Sequence, residues 1–148
     1  MKILLLNGPN MTLLGKREPT LYGTESFSDL LARFRAYAAG KGVGVTCLAS
    51  DHEGDLVAWI GQAAGRYDGI IINPAALTHT SVALRDALCA VSLPTVEVHI
   101  TDPATREPFR RVDYVRDVCF AAVVGEGTDG YLHALDILVC AIAGGNEV

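Results

Sequence analysis

Short apolar runs alternate along this chain with longer stretches in which apolar residues recur at helical spacing. The first run, Ile3 to Leu6, stops at the turn cluster Asn7-Gly8-Pro9-Asn10 and predicts a strand. A polar loop follows to about Thr24. Thr24-Glu25-Ser26-Phe27 carries helix-start signals, and Leu30, Leu31, Phe34 and Tyr37 then share one side of a helix that runs to Gly40. Val43 to Leu48 reads as a second strand. Ser50 or Asp51 is the expected cap of a second helix, with Leu56, Trp59, Ile60 and Ala63 facing inward. Gly69-Ile70-Ile71-Ile72 is a buried third strand ending at Asn73-Pro74. Thr80 to Val91 predicts a third helix and Thr95 to His99 a fourth strand. After a polar segment from Thr101 to Asp117, Ala121 to Val124 forms a fifth strand and Asp129 to Ala143 a closing helix.

Strand and helix alternating without a long linker predict an α/β fold. The expected architecture is a flavodoxin-like, doubly wound, five-stranded parallel sheet of order 2-1-3-4-5 with helices on both faces. A length of 148 residues suits a single domain spanning 1–148. Such a chain buries enough surface to need no disulfide staples. Half of the residues are hydrophobic and a fifth charged, which excludes a disordered chain. Twelve basic against 17 acidic residues leave a net charge of −5. A general basic field for nucleic acid is thereby excluded, while a local basic pocket for a small anion is not. No apolar stretch reaches the roughly 20 residues of a membrane span, and no signal peptide is visible, so a cytoplasmic location is expected. Cys47, Cys89, Cys119 and Cys140 form no CxxC or zinc-ligand pair. Each sits in an apolar run, as buried free thiols do in a reducing compartment.

In open parallel sheets, ligands bind outside the carboxyl ends of the strands. That rule selects Asn7 and Asn10 after strand one, Ser50 to Glu53 after strand two, Asn73 to His79 after strand three, and His99, Ile100 and Thr101 after strand four. Histidines, amides and nearby arginines on one rim suit a polar small molecule. The same Asn and Thr residues also serve as turn formers and helix caps. There is no P-loop, no HExxH and no GxSxG elbow around Ser81. The three lysines, Lys2, Lys16 and Lys41, lie away from the strand ends, which argues against Schiff-base chemistry. Acid–base chemistry with electrostatic help remains. The loop at about 15–24, Gly15-Lys16-Arg17-Glu18-Pro19-Thr20-Leu21-Tyr22-Gly23, is long for a βα connection. It carries cations and a phenol between glycines, as a mobile lid would.

Several of these segments together resemble one family. Asn7-Gly8-Pro9-Asn10 followed by Gly15-x-Arg17-Glu18-Pro19-x-x-Tyr22-Gly23 resembles the opening of the type II dehydroquinases. The same resemblance runs through Ile71-Ile72-Asn73-Pro74, Thr78 to Leu88, Glu97-Val98-His99-Ile100, Arg106-Glu107-Pro108-Phe109-Arg110, and Gly125-x-Gly127-x-x-Gly130-Tyr131. It covers nearly the whole chain, in order.

The resemblance implies a flavodoxin-like fold and trimers packed into a homo-dodecamer. It also implies dehydration of 3-dehydroquinate to 3-dehydroshikimate by anti elimination through an enolate, in shikimate or quinate metabolism. On that resemblance no metal, imine or cofactor would take part. Tyr22 would be the base. A free phenol has a pKa of about 10, so a phenolate at neutral pH needs about 4 kcal/mol. One cation about 4 Å away at an effective dielectric of 20 supplies roughly that much, and Arg17 on the same loop is the expected source. His99 would be the general acid, with Glu97 on the same strand face setting its orientation and charge. Asn10 would hold a water against the enolate oxygen. Asn73 and the backbone N–H groups of Ile100 and Thr101 would grip the substrate carboxylate. His79 and Arg110 would bind ring hydroxyls, and Asp86 would reach a neighbouring subunit's site.

The chain departs from the usual family pattern at Thr12, Asp51, Gly61, Ala75 and Leu77. An added Cβ at 75 would crowd the rim, and Leu77 would remove a phenol from it. Asp51 would add negative charge near an anion site. Gly61 inside a helix would cost about 1 kcal/mol against alanine. These changes raise an alternative: an inactive or redirected relative that binds or dehydrates another cyclic polyol acid.

Overall fold

A computed structural model describes residues 1–145. Five parallel strands, β1 (Lys2–Asn7), β2 (Gly44–Ala49), β3 (Gly69–Asn73), β4 (Thr95–His99) and β5 (Ala121–Val124), form one sheet of order β2-β1-β3-β4-β5. This is the expected order. β1 and β3 are central and apolar on both faces, so side chains alternate between two separate cores. Ile3, Leu5, Ile71, Val96 and Val98 point to one core with α2 (Phe27–Gly40) and α5 (Asp129–Gly144). Leu4, Leu6, Ile70 and Ile72 point to the other, with α3 (Glu53–Gly61) and α4 (Val82–Val91).

β4 breaks this rule, and the break positions the site. Val96 and Val98 join the first core, so Thr95, Glu97 and His99 face the second. All three are buried. Polar side chains therefore occupy a face that an ordinary parallel strand would fill with Val or Ile.

Helix starts follow local chemistry. The Ser26 hydroxyl accepts from Asp29 N–H to cap α2, and the Ser81 hydroxyl accepts from Leu84 N–H to cap α4. α4 therefore begins at Val82 rather than Thr80, after a 3₁₀ turn at Ala75–His79. The expected Ser50 or Asp51 cap of α3 is corrected: the cap position is His52, without a side-chain bond. Ser50 instead donates to Asp55, and Asp51 accepts from the Asn10 N–H. Gly61 is the last residue of α3, where it does not interrupt the helix interior.

The lid is also more ordered than a polar loop. It holds a 3₁₀ turn, Met11–Leu13, and the short helix α1 (Pro19–Tyr22). Gly15, at φ 84°, marks its first bend, where a Cβ would lie 2.8 Å from the Glu25 carbonyl oxygen. The cysteines are corrected as well. Only Cys119 is buried; Cys47 is half-buried, and Cys89 and Cys140 are exposed on the outer faces of α4 and α5. An apolar neighbourhood in sequence does not reveal which side of a helix a residue takes. Among the described residues no helix is long and apolar enough to cross a membrane.

Candidate active site

The carboxyl ends of β1, β3 and β4 open onto a pocket closed from above by the lid. Its floor begins at Gly8, whose N–H donates to the Asn73 carbonyl at 2.8 Å. A Cβ there would stand 2.4 Å from the Pro74 carbonyl oxygen, so only glycine lets these two strand ends abut. The chain then turns through Asn10, at φ 68°, which presents its side chain to the pocket. The Asp51 carboxylate, from the end of β2, accepts the Asn10 N–H at 2.8 Å and braces that turn. Ser50, His52 and Glu53 do not line the pocket.

Asn73 ends β3, almost fully buried, with its amide at the pocket wall. Its Nδ2 donates to the Tyr131 hydroxyl at 2.8 Å, and that hydroxyl donates to Asn7 Oδ1 at 2.7 Å. Burial holds the Tyr131 phenol above its ordinary pKa, so it stays a neutral donor. Tyr131, from α5, thus orients Asn73 from below. Its pairing with the strand ends could not be read from its place in a helix. Asn73 Oδ1 accepts the N–H of Ala75, a non-glycine residue at φ 52°. A left-handed alanine is strained by about 1 kcal/mol. Ala75→Gly is therefore expected to raise the unfolding free energy by up to about 1 kcal/mol, less the unfolded-state entropy glycine adds. A urea midpoint that falls instead would show that the left-handed turn carries no strain.

His99 ends β4, 7 % exposed, with one edge on the pocket. Its Nε2 lies 2.8 Å from Glu97 Oε1, which leaves Nδ1 for a ligand. Glu97 is fully buried behind it, and the Thr78 hydroxyl oxygen is 2.7 Å from the same Oε1. The same Thr78 oxygen is 2.7 Å from Asp113 Oδ1. Ligating atoms of Glu97, His99 and Asp113 all lie within 4.8 Å of one another, with the Thr78 hydroxyl filling the space between the two carboxylates. Thr78 falls in the Asn73 to His79 stretch selected from sequence but was given no role there, and a strand-end rule has no means of reaching Asp113 in a distant irregular segment.

Beyond His99 the backbone N–H groups of Ile100 and Thr101 donate to no backbone or side-chain acceptor among the described residues, and both residues line the pocket. The opposite wall is cationic. Arg106 Nη1 donates to the Tyr22 hydroxyl at 2.9 Å, and the Arg17 guanidinium lies 5.3 Å from the centre of the Tyr22 ring. Arg17, the expected cation on the same loop, lies over the ring, and a second cation stands at the hydroxyl. Arg106 makes the direct contact, from a segment 84 residues away in sequence. Arg110 also lines the pocket, held by Glu107 at 2.6 Å. His79 lines it too, with Nδ1 2.6 Å from the Val112 carbonyl oxygen. Asp86 does not. It is exposed on α4, outside this pocket.

The site therefore offers a phenol between two guanidiniums, an imidazole backed by a carboxylate, and free amide donors. A profile of the family described as Dehydroquinase class II matches residues 1–139. The chain belongs to the class II dehydroquinases. It is 50 % identical over 137 residues to a 3-dehydroquinate dehydratase of Corynebacterium glutamicum, covering 93 % of this chain and 94 % of that one. It is 52 % identical over 141 residues to catabolic 3-dehydroquinase 2 of Aspergillus flavus, with coverage of 93 % and 94 %. The crystal structure of type II dehydroquinase from Butyrivibrio crossotus superposes with a TM-score of 0.92 at 43 % identity, covering 94 % of this chain and 97 % of that one.

Within this dehydroquinase the departures at 51 and 77 fall outside the pocket lining. Leu77 packs against the core under α3 and α4 instead of facing the ligand. Asp51 spends an oxygen on the Asn10 turn. Of the departures at positions 51, 75 and 77, only Ala75 lines the pocket.

Proposed function

We infer that this dehydroquinase catalyses the dehydration of 3-dehydroquinate to 3-dehydroshikimate, as a carbon–oxygen hydro-lyase. The observation that carries the reading is the Tyr22–Arg106 contact facing His99 across one pocket. The substrate is a β-hydroxy ketone bearing a carboxylate. Its elimination needs a base beside the ketone, stabilisation of an enolate and a proton for the departing hydroxyl.

Tyr22 takes the proton, and Arg106 and Arg17 stabilise the negative charge on its oxygen. Asn10 holds the water that donates to the enolate oxygen. His99 gives its proton to the leaving hydroxyl, with Glu97 fixing the ring. Asn73 and the Ile100 and Thr101 N–H groups take the carboxylate, a role to which the two unpaired backbone N–H groups past the strand end are suited. His79 and Arg110 take ring hydroxyls. No lysine lines the pocket, which fits a route without an imine.

The relatives' names include a catabolic one, and shikimate and quinate routes share this reaction. We further propose a cytoplasmic homo-oligomer, a dodecamer built from trimers, in which the exposed Asp86 reaches a neighbouring site. Four free thiols suit a reducing compartment.

Purified protein mixed with 3-dehydroquinate is expected to raise the ultraviolet absorbance of the conjugated enone. The rise should be insensitive to EDTA and to borohydride pretreatment. A flat trace from folded protein would reject the reading and turn attention to other cyclic polyol acids.

A further inference from the structure

Thr78, Glu97, Asp113 and His99 form a chain of three short contacts that the roles above do not use fully. His99 Nε2 to Glu97 Oε1 is 2.8 Å, Glu97 Oε1 to Thr78 Oγ1 is 2.7 Å, and Thr78 Oγ1 to Asp113 Oδ1 is 2.7 Å. Each contact at that length needs a hydrogen between its atoms. The imidazole supplies one and the Thr78 hydroxyl has one. The third has to sit on a carboxyl group. An unprotonated Nε2 only raises the number of protons the carboxyls must hold.

We propose that Glu97 and Asp113 share one proton across Thr78, and that Asp113 is thereby a positioning residue that acts on the acid His99 through Glu97. The functional half of this rests on His99 as the acid; the shared proton does not.

The surroundings support the sharing. Glu97 is fully buried and its Oε2 has no partner, so an ionised Glu97 would carry an uncompensated oxygen. Its strand neighbours, Ile72 and Ala122, offer no donor side chains. Asp113 Oδ1 accepts the N–H groups of Val115 and Arg116, which favours negative charge on that side. The other titratable neighbour is Cys119. Burial first, then the charges of Glu97 and Asp113, push its thiol well above the ordinary value, so it stays neutral. Arg116 works weakly against that shift, and its guanidinium donates to the Cys119 carbonyl. An imidazolium facing a carboxyl pair with one shared proton is neutral overall and leaves no contact without a hydrogen.

The consequence for the reaction is a count of groups: two carboxyls stand behind one imidazole, and Asp113→Asn leaves one. During turnover the enolate pair forms the C=C bond as the C–O bond breaks with its pair on oxygen, that oxygen takes the proton from His99 Nδ1 to leave as water, and the imidazole is left neutral.

Infrared spectroscopy tests the proton directly, with or without activity. Wild-type protein at neutral pH is expected to show a protonated-carboxyl C=O band that shifts in D2O. The band should vanish in Thr78→Val, which has no hydroxyl to link the two carboxyls, and persist in Thr78→Ser. No such band in the wild type overturns the proposal, and so does a band that persists in Thr78→Val. In Asp113→Asn the Oδ1 still accepts from Val115 and Arg116, so the turn at 113 survives. In the dehydration assay, Asp113→Asn is expected to move the alkaline limb of the kcat–pH profile down by about 1 pH unit. A uniform loss of kcat with the limb unmoved would make Asp113 merely structural and reject its role.

Discussion

Replacing Tyr22 with phenylalanine is expected to lower kcat for 3-dehydroquinate by about 10²–10⁴-fold, the range a general base contributes, with the fold intact. The substitution removes one oxygen, the one 2.9 Å from Arg106 Nη1. The ring itself is half-buried against the core under α2 and α5, and phenylalanine keeps that packing. The guanidiniums of Arg17 and Arg106 sit 5.3 and 5.8 Å from the ring centre and can stay over a phenyl face. Stability and circular dichroism should therefore match the wild type while turnover collapses. A variant within a few-fold of wild-type kcat would remove Tyr22 as the base.

Arg106→Gln is expected to cost about 10²–10³-fold in kcat, the scale seen when a donor aimed at developing negative charge is lost. Arg106 is well placed for that role. Its side chain is 19 % exposed, against 39 % for Arg17, so solvent screens its charge less. If Arg106 acts through Tyr22, the two losses do not add. The double variant should be only slightly worse than Tyr22→Phe alone. A rise in KM with kcat intact, or additive losses, would make Arg106 a substrate-binding residue instead.

The alternation of apolar runs and helical spacing sufficed for the parallel α/β class and for the bounds of β4 and β5, because strand burial is a local rule and parallel neighbours need helical crossovers. The carboxyl-end rule brought Asn10, Asn73 and His99 to one rim, since parallel strands carry their last residues to the same edge. Glu97 was legible for a similar reason, two residues before His99 on the same strand face. Three features were not legible. Arg106 meets Tyr22 across 84 residues, Tyr131 meets Asn7 across 124, and Asp113 meets Thr78 across 35. Each partner lies in an irregular segment or on a helix face whose direction no periodicity specifies. The same holds for Asp51 and Leu77. Their residue types suggested an altered pocket, but one braces the Asn10 turn and the other fills the core. Sequence alone determined which segments are strands and which edge carries the chemistry, because backbone geometry repeats every two residues in a strand and 3.6 in a helix. Only the tertiary structure decided which charges touch, because a side chain's direction in a loop is set by whatever packs against it.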